Sequence, residues 1–343
     1  MAIITRTGGR ARLAGLLGLA LAVGGGSPAR AEVHELHMMN SYGISFLPVL
    51  LLEANRLIEL QAERAGLGEL QVTWIKGGTG NNASDALLSG NVDFAATGCT
   101  AMITLWDKTY GTFGVRGVSA MSHTPFQLNT SKPAVRSVKD FTDADRIALP
   151  GVLISPQSFL LQMAAEQAFG TGQHTRLDAL TITMTNPDGI IAMVSNAAEI
   201  TGHFTTPPFS YLELNYPGVH RLTDSTAILG SPATLNLVFT TAKFHDRNPK
   251  IYAAVLAALD EAVAYIPQHK QRAAEIYLAA MDDKKTPVAE ILDMLDKPEI
   301  SFTTTPQNIT RFAAFMQRTG RIKHEAKSWQ DLFFPEIHDR PGS

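Results

Sequence analysis

The chain has 343 residues, 45% of them hydrophobic and 18% charged, and its mean hydropathy is close to zero. That composition excludes a multi-span membrane protein and leaves room for two domains, each with its own core. The formal net charge of −3 and the lack of any basic run exclude nucleic acid and anionic membranes as partners.

The first 31 residues differ in kind from the rest. Arg6, Arg10 and Arg12 make a basic start, an apolar run follows over 13–23, and Ala29-Arg30-Ala31 has the small-residue form of a cleavage site. This is the pattern of a secretory signal peptide, with an apolar run shorter than the roughly 20 residues of a spanning helix. A soluble, exported chain is expected to begin near Glu32. No cysteine lies near the cleavage site to take a lipid. Removing the leader's four arginines takes 29 basic residues to 25 against 32 acidic, a formal charge of −7. Cys99 is the only cysteine, so no intrachain disulfide can form and stability must come from packing.

After the leader, strand and helix patterns alternate. Residues 33–39 read as a strand ending at Asn40-Ser41-Tyr42-Gly43, and Pro48 opens a helix with Leu47, Leu50, Leu51, Ala54 and Ile58 on one face. Residues 70–75 form the next strand, then Gly77 to Asn82, then a short helix closed by Gly90. A strand over 92–96 leads to Thr97-Gly98-Cys99-Thr100 and a helix through Trp106, and 115–121 is a further strand. The pattern restarts with strands at 126–129 and 146–149 and a helix from Ser155-Pro156 to about 168. A strand at 180–184 follows, then a helix capped by Asn186-Pro187-Asp188. Strand 199–202 leads into His203-Phe204-Thr205-Thr206-Pro207-Pro208. Residues 235–241 read as a strand able to pair back with 126–129, and the tail is helical.

Such alternation predicts an α/β fold with largely parallel sheets and helices on both faces. Two such units predict two lobes: 32–123 with 243–343 returning to it, and 124–242. In open α/β sheets ligands bind outside the carboxyl ends of the strands. Small and polar residues recur there, at Ser41-Tyr42, Gly77 to Asn82, Gly98-Cys99, Ser155 and His203. Helix N-termini at such turns present unpaired N–H groups and partial positive charge, which suits a small anion. Any one of these turns is explained as simply by helix capping; their recurrence across two lobes is what points to a ligand.

Other motifs carry less. Gly78-Thr79-Gly80-Asn81-Asn82-Ala83 fits a dinucleotide fingerprint but follows the second strand and lacks the acidic residue about 20 positions on. His34 and His37 alternate faces on a strand, which argues against a metal pair. His203 is open between a ligand donor and a core turn residue. Cys99, at a helix start, is either a nucleophile or a small buried side chain. Trp74, Trp106, Tyr42, Phe46 and Phe204 are aromatic candidates for a cleft wall, Tyr42 and Phe204 foremost.

The leader, the strand before Asn40-Ser41-Tyr42-Gly43, Lys76 to Gly80, Gly90 to Gly98, and Ile200-Thr201-Gly202-His203-Phe204 with Pro207-Pro208 together resemble the nitrate/sulfonate/taurine branch of ABC-transporter solute-binding proteins. The resemblance implies a type II periplasmic-binding fold that closes two lobes on its ligand. It also implies a periplasmic location, a monomer, no cofactor, and a membrane permease with its ATPase as partners. Carried over by position, the ligand loops include Ser41, Tyr42, Gly78, Thr79, Gly98 and Cys99 in the first lobe and Ser155 and His203 in the second. One departure is the stretch Asn196-Ala197-Ala198-Glu199-Ile200, where many members carry an aspartate, and the loops hold no evident arginine. Two other functions share this resemblance: a cysteine-dependent desulfinase using Cys99, and a sensor subunit that reports ligand to a membrane receptor.

Overall fold

Among the described residues, ten strands build two five-stranded sheets of the same design. The computed structural model describes residues 32–77, 80–195 and 199–343, and residues 32–343 form one compact unit. The leader, Gly78 and Thr79, and 196–198 lie outside the described residues.

The strands are β1 (Glu35–Met39), β2 (Gln71–Ile75), β3 (Phe94–Gly98), β4 (Arg116–Ala120), β5 (Gln127–Thr130), β6 (Arg146–Leu149), β7 (Thr181–Thr183), β8 (Ile200–Thr205), β9 (His220–Asp224) and β10 (Asn236–Thr240). The first sheet has the order β2-β1-β3-β10-β4 and the second β7-β6-β8-β5-β9. In each, three neighbouring strands run parallel (β2, β1, β3; β7, β6, β8). The fourth, β10 or β5, is antiparallel to both its neighbours. β5 and β10 are the strands the chain enters after each crossing between lobes.

This corrects one expectation. Residues 235–241 do form a strand, but β10 pairs with β3 and β4 of the first sheet and not with 126–129. Leu237, Val238 and Phe239 are fully buried there, so the segment meets apolar neighbours on both faces and takes a central position. The return to the first sheet therefore comes ahead of residue 243. The parallel expectation holds for three strands of each sheet and fails for β5 and β10. β9 and the short Ser225–Leu229 helix were not foreseen. The single helix expected over 47–58 is two, Leu47–Ala54 and Leu57–Arg64, divided at Arg56 with φ 52°.

The helical tail packs mainly on the first sheet. Phe94 of β3 meets Phe244 edge-on at 5.0 Å and Tyr252 of the Pro249–Tyr265 helix at 6.4 Å. The C-terminal segment closes the β4 edge: Phe333 bridges Gly117, and the Phe334 N–H donates to the Gly117 carbonyl at 3.0 Å. Gly117 is needed by this approach, since a Cβ there would lie 2.4 Å from the Phe333 ring.

The tail also reaches the second lobe. Arg318, ending the Ile309–Arg318 helix, forks onto both oxygens of Glu166, at 3.0 and 2.6 Å. This hydrogen-bonded guanidinium pulls the Glu166 carboxyl from 4.5 to about 2. A carboxyl depressed on folding contributes stability that is present above its unfolded pKa and lost as pH falls through its folded one. The stability advantage of wild type over Glu166→Gln is therefore expected to shrink steadily from pH 5 toward pH 2. Melting curves at a series of pH values check this; an advantage that stays constant down to pH 2 contradicts it.

Candidate functional site

A small cavity lies where the carboxyl ends of the parallel strands of both sheets meet. Its wall takes Ser41 and Tyr42 after β1, Gly80 after β2, Thr97, Gly98 and Ala101 around the end of β3, Pro150 and Ile154 to Gln157 after β6, Asn186 after β7, and Thr206 after β8. Phe126 and Asn236 come from the starts of β5 and β10. Those strands are antiparallel, so their amino ends lie level with the carboxyl ends of their neighbours. The topology thus delivers eight strand ends to one place.

Four helices begin at this cavity: Gly80–Ser89, Cys99–Lys108, Pro156–Phe169 and Asn186–Val194. The first three carry no acidic residue in their first turn. Their partial positive charge is not offset from within the helix. Among the described residues, no charged side chain lines the cavity. The field inside is therefore that of helix ends and neutral dipoles, which favours an anion without a salt bridge.

The lobes touch here. Gly98 is in extended backbone (φ −62°, ψ 140°), so it is not needed for its conformation. A Cβ on it would lie 2.4 Å from Cδ of Pro156 in the facing lobe. Thr100 Oγ1 donates to the Ile154 carbonyl, and the Ile44 N–H donates to the Pro207 carbonyl at 2.8 Å. Gly43, at φ 115°, leaves room for Thr206. The closed space admits the centres of water-sized spheres over about 40 Å³, roughly the room of three waters.

Polar side chains of the wall divide into two kinds. Some are held by their own lobe. Ser155 Oγ donates to the Gly151 carbonyl at 2.8 Å and accepts from the Ser158 N–H at 3.3 Å, capping its helix. Asn236 Nδ2 donates to Ser45 Oγ at 2.7 Å, and Asn186 Oδ1 accepts from Thr205 Oγ1 at 2.9 Å. One is buried and unsatisfied. Thr206 is 1% exposed and its hydroxyl has no partner. Gln157 is 3% exposed and lines the wall beside it. A buried polar group without a partner is costly, and a ligand in the cavity would satisfy the Thr206 hydroxyl.

Of the residues singled out from sequence, Ser41, Tyr42, Gly98 and Ser155 come together around the cavity, with Phe46. Cys99, His203 and Phe204 do not reach it. Cys99 starts its helix with its thiol turned into the hydrophobic core, fully buried. Burial pushes the thiol pKa up, and the helix-start hydrogen bonds do not offset this. His203 sits inside β8 and not beyond its end, paired with Asn129. Side chains alternate along a strand. His203 therefore faces a polar layer and Phe204 the main core, each fully buried. Trp106 packs edge-on against Tyr110, and Trp74 lies against the core from β2.

Sequence reading missed Gln157, Asn186 and Thr206 as wall residues, and also Phe126 and Asn236. Asn186 was read as a cap only, and Gln157 is simply the second residue of the helix that Ser155-Pro156 opens. Asn236 was hidden by the assignment of its strand to the wrong sheet.

The burial of Cys99 makes a direct expectation. Cys99→Ser places a hydroxyl in an apolar pocket and should cost about 1–3 kcal/mol of stability, while binding at the cavity is unchanged. Denaturant unfolding and ligand titration of the variant test this; a stable protein that has lost its ligand response would restore the thiol to the site.

Two five-stranded sheets with a small cavity between their strand ends define a two-lobed α/β fold, and solved structures share it. The chain shares the generic periplasmic-binding-protein fold. It is similar to the periplasmic aliphatic sulphonate binding protein SsuA from Escherichia coli, at 17% identity over 88% of this chain and 92% of that one, with a TM-score of 0.64. The alkanesulfonate-binding protein SsuA from Xanthomonas axonopodis pv. citri bound to MOPS matches at 16% identity over 85% and 92%, TM-score 0.65. The periplasmic nitrate-binding protein NrtA from Synechocystis PCC 6803 matches at 15% over 85% and 83%, TM-score 0.65. No protein-family model and no curated protein sequence matches the chain.

Proposed function

We propose that this chain captures a small organic or inorganic monoanion between its lobes, as the exported solute-binding component of an ABC importer. The observation that carries the reading is the interlobe cavity itself. Helix N-termini, the Gln157 amide and the unpartnered Thr206 hydroxyl meet there and, among the described residues, no charged side chain does. A monoanion such as a short sulfonate, a carboxylate or nitrate matches partial charges; a dianion would lack a counter-charge. The small space fits an acidic group with little beyond it. The structural neighbours that bind sulfonates and nitrate support this ligand class, and the leader pattern supports export to the periplasm. A permease and its ATPase are the implied partners, and the protein acts as a monomer. The lobes we propose follow the sheets.

Capture here is non-catalytic: contacts to both lobes bias an open–closed equilibrium toward the closed form. The desulfinase reading would need a reachable thiolate, and Cys99 offers none. A thermal-shift screen of the chain from Glu32 onward, against methanesulfonate, ethanesulfonate, acetate, benzoate, nitrate and sulfate, tests the proposal. A monoanion at 100 times its dissociation constant should add about 2.7 kcal/mol of stability and be recovered unchanged. A response to sulfate alone, or consumption of the ligand, would overturn it.

A further inference from the structure

The buried polar atoms that lack partners concentrate in one layer of the second lobe: both amide atoms of Gln127, Oδ1 of Asn129, Nε2 of His203, Oγ1 of Thr206 and Oγ of Ser210. The β5–β8 register sets Gln127 opposite Thr205 and Asn129 opposite His203, so these four share one face of the sheet. The other face sends Leu128 and Phe204 into the hydrophobic core. The polar face is covered by the Asn186–Val194 helix, whose first residue lines the cavity, and by Phe209–Leu212.

At its centre is a fully buried pair. His203 Nδ1 donates to Glu213 Oε1, and both side chains are 0% exposed. Glu213 Oε2 accepts from Asn129 Nδ2 at 2.8 Å, and the same amide donates to the Ser210 carbonyl at 2.7 Å. The imidazole is thus held from one side by a fixed carboxylate. On its other side rides the cavity helix: a Cβ at Gly189 would lie 2.3 Å from His203 Nε2 and 2.5 Å from Cε1. Gly189 is helical, so this contact with the ring is what requires glycine there. Two residues along the same face, Thr205 Oγ1 donates to Asn186 Oδ1 at 2.9 Å.

We propose that His203 and Glu213 are positioning residues for the cavity wall. The ring, clamped by Glu213, sets the height of the Asn186–Val194 helix, and Thr205 sets the rotation of the Asn186 amide. The proposal rests on reading the cavity as the ligand site. A buried ionisable pair is rarely more stabilising than an apolar one, and here it fixes geometry instead. His203, then, acts on the ligand through Asn186 and does not touch it.

The test is the effect of Gly189→Ala in two backgrounds, wild type and His203→Ala/Glu213→Gln, where the ring is gone. Two readouts are taken: hydrogen exchange of the amides of 186–194, and affinity for ethanesulfonate. In wild type, the added methyl should raise exchange across that helix and weaken ethanesulfonate by about tenfold or more, the scale of losses when a supporting contact is removed. In the ring-less background the same methyl should change either quantity less than about twofold, because residues in contact couple and separated ones add. A Gly189→Ala chain that folds only in the ring-less background shows the same coupling. Equal effects in both backgrounds, or unchanged exchange in wild type, would overturn the proposal. If wild type binds no ethanesulfonate, the exchange data still decide the positioning role, and only the choice of ligand fails.

Discussion

Gly98→Ala is expected to weaken ligand binding by roughly 5- to 150-fold while leaving the protein folded. The methyl would overlap Pro156 Cδ across the cleft at 2.4 Å. Overpacking of this kind costs about 1–3 kcal/mol, which converts to that range of affinity. The backbone at Gly98 is extended, so alanine brings no conformational penalty, and in an open form the methyl meets no second lobe. The cost falls on closure alone. Calorimetric titration gives the affinity and thermal melting without ligand gives the stability. Unchanged affinity would mean that ligand binding does not use the lobe contact described here. Equal losses of affinity and stability would mean that the contact belongs to the fold and not to closure.

Phe204→Ala is expected to destabilise the chain by about 3–5 kcal/mol, the usual cost of removing a fully buried phenylalanine. Phe204 is 0% exposed within the main core, with Leu128 opposite it across the β5–β8 pair. A loss this large should be visible as a lower urea midpoint with an unchanged slope. A variant of near-native stability that fails to bind ligand would instead make Phe204 part of the cleft wall.

The contrast between these two residues shows what was legible before the structure. Gly98 follows a strand and precedes a helix, and that place in the chain is sufficient to put it at a strand-end crevice. The same reasoning puts Ser41, Tyr42 and Ser155 at strand ends, and all three line the cavity. His203 and Phe204 were misplaced by a boundary. The strand ends at Thr205, three residues later than read, and that extension moves both side chains from a loop to the two faces of a sheet. The turn proper begins at Thr206, which does line the cavity. Cys99 was a question of direction: its place at a helix start was visible, but not which way the thiol points.

Element order was readable because hydrophobic periodicity is local. Sheet membership was not, because β10 joins β3 and β4 across more than a hundred residues of chain, and nothing in 235–241 distinguishes a central strand of one sheet from that of another. Asn236 was lost with it. The polar layer under the Asn186–Val194 helix was equally hidden. Its members are spread over β5, β8 and the segment after Pro208, and only register aligns them.

The central claim is that the ligand lies between the lobes at the helix N-termini. A crystal structure of the chain grown with the anion that shifts melting most tests it directly. The account predicts that anion, chemically intact, within hydrogen-bond distance of Gln157 and Thr206 and in contact with Gly98 and Asn186. Density for it anywhere outside this cavity, or bound against a charged side chain in a rearranged cleft, would contradict the account.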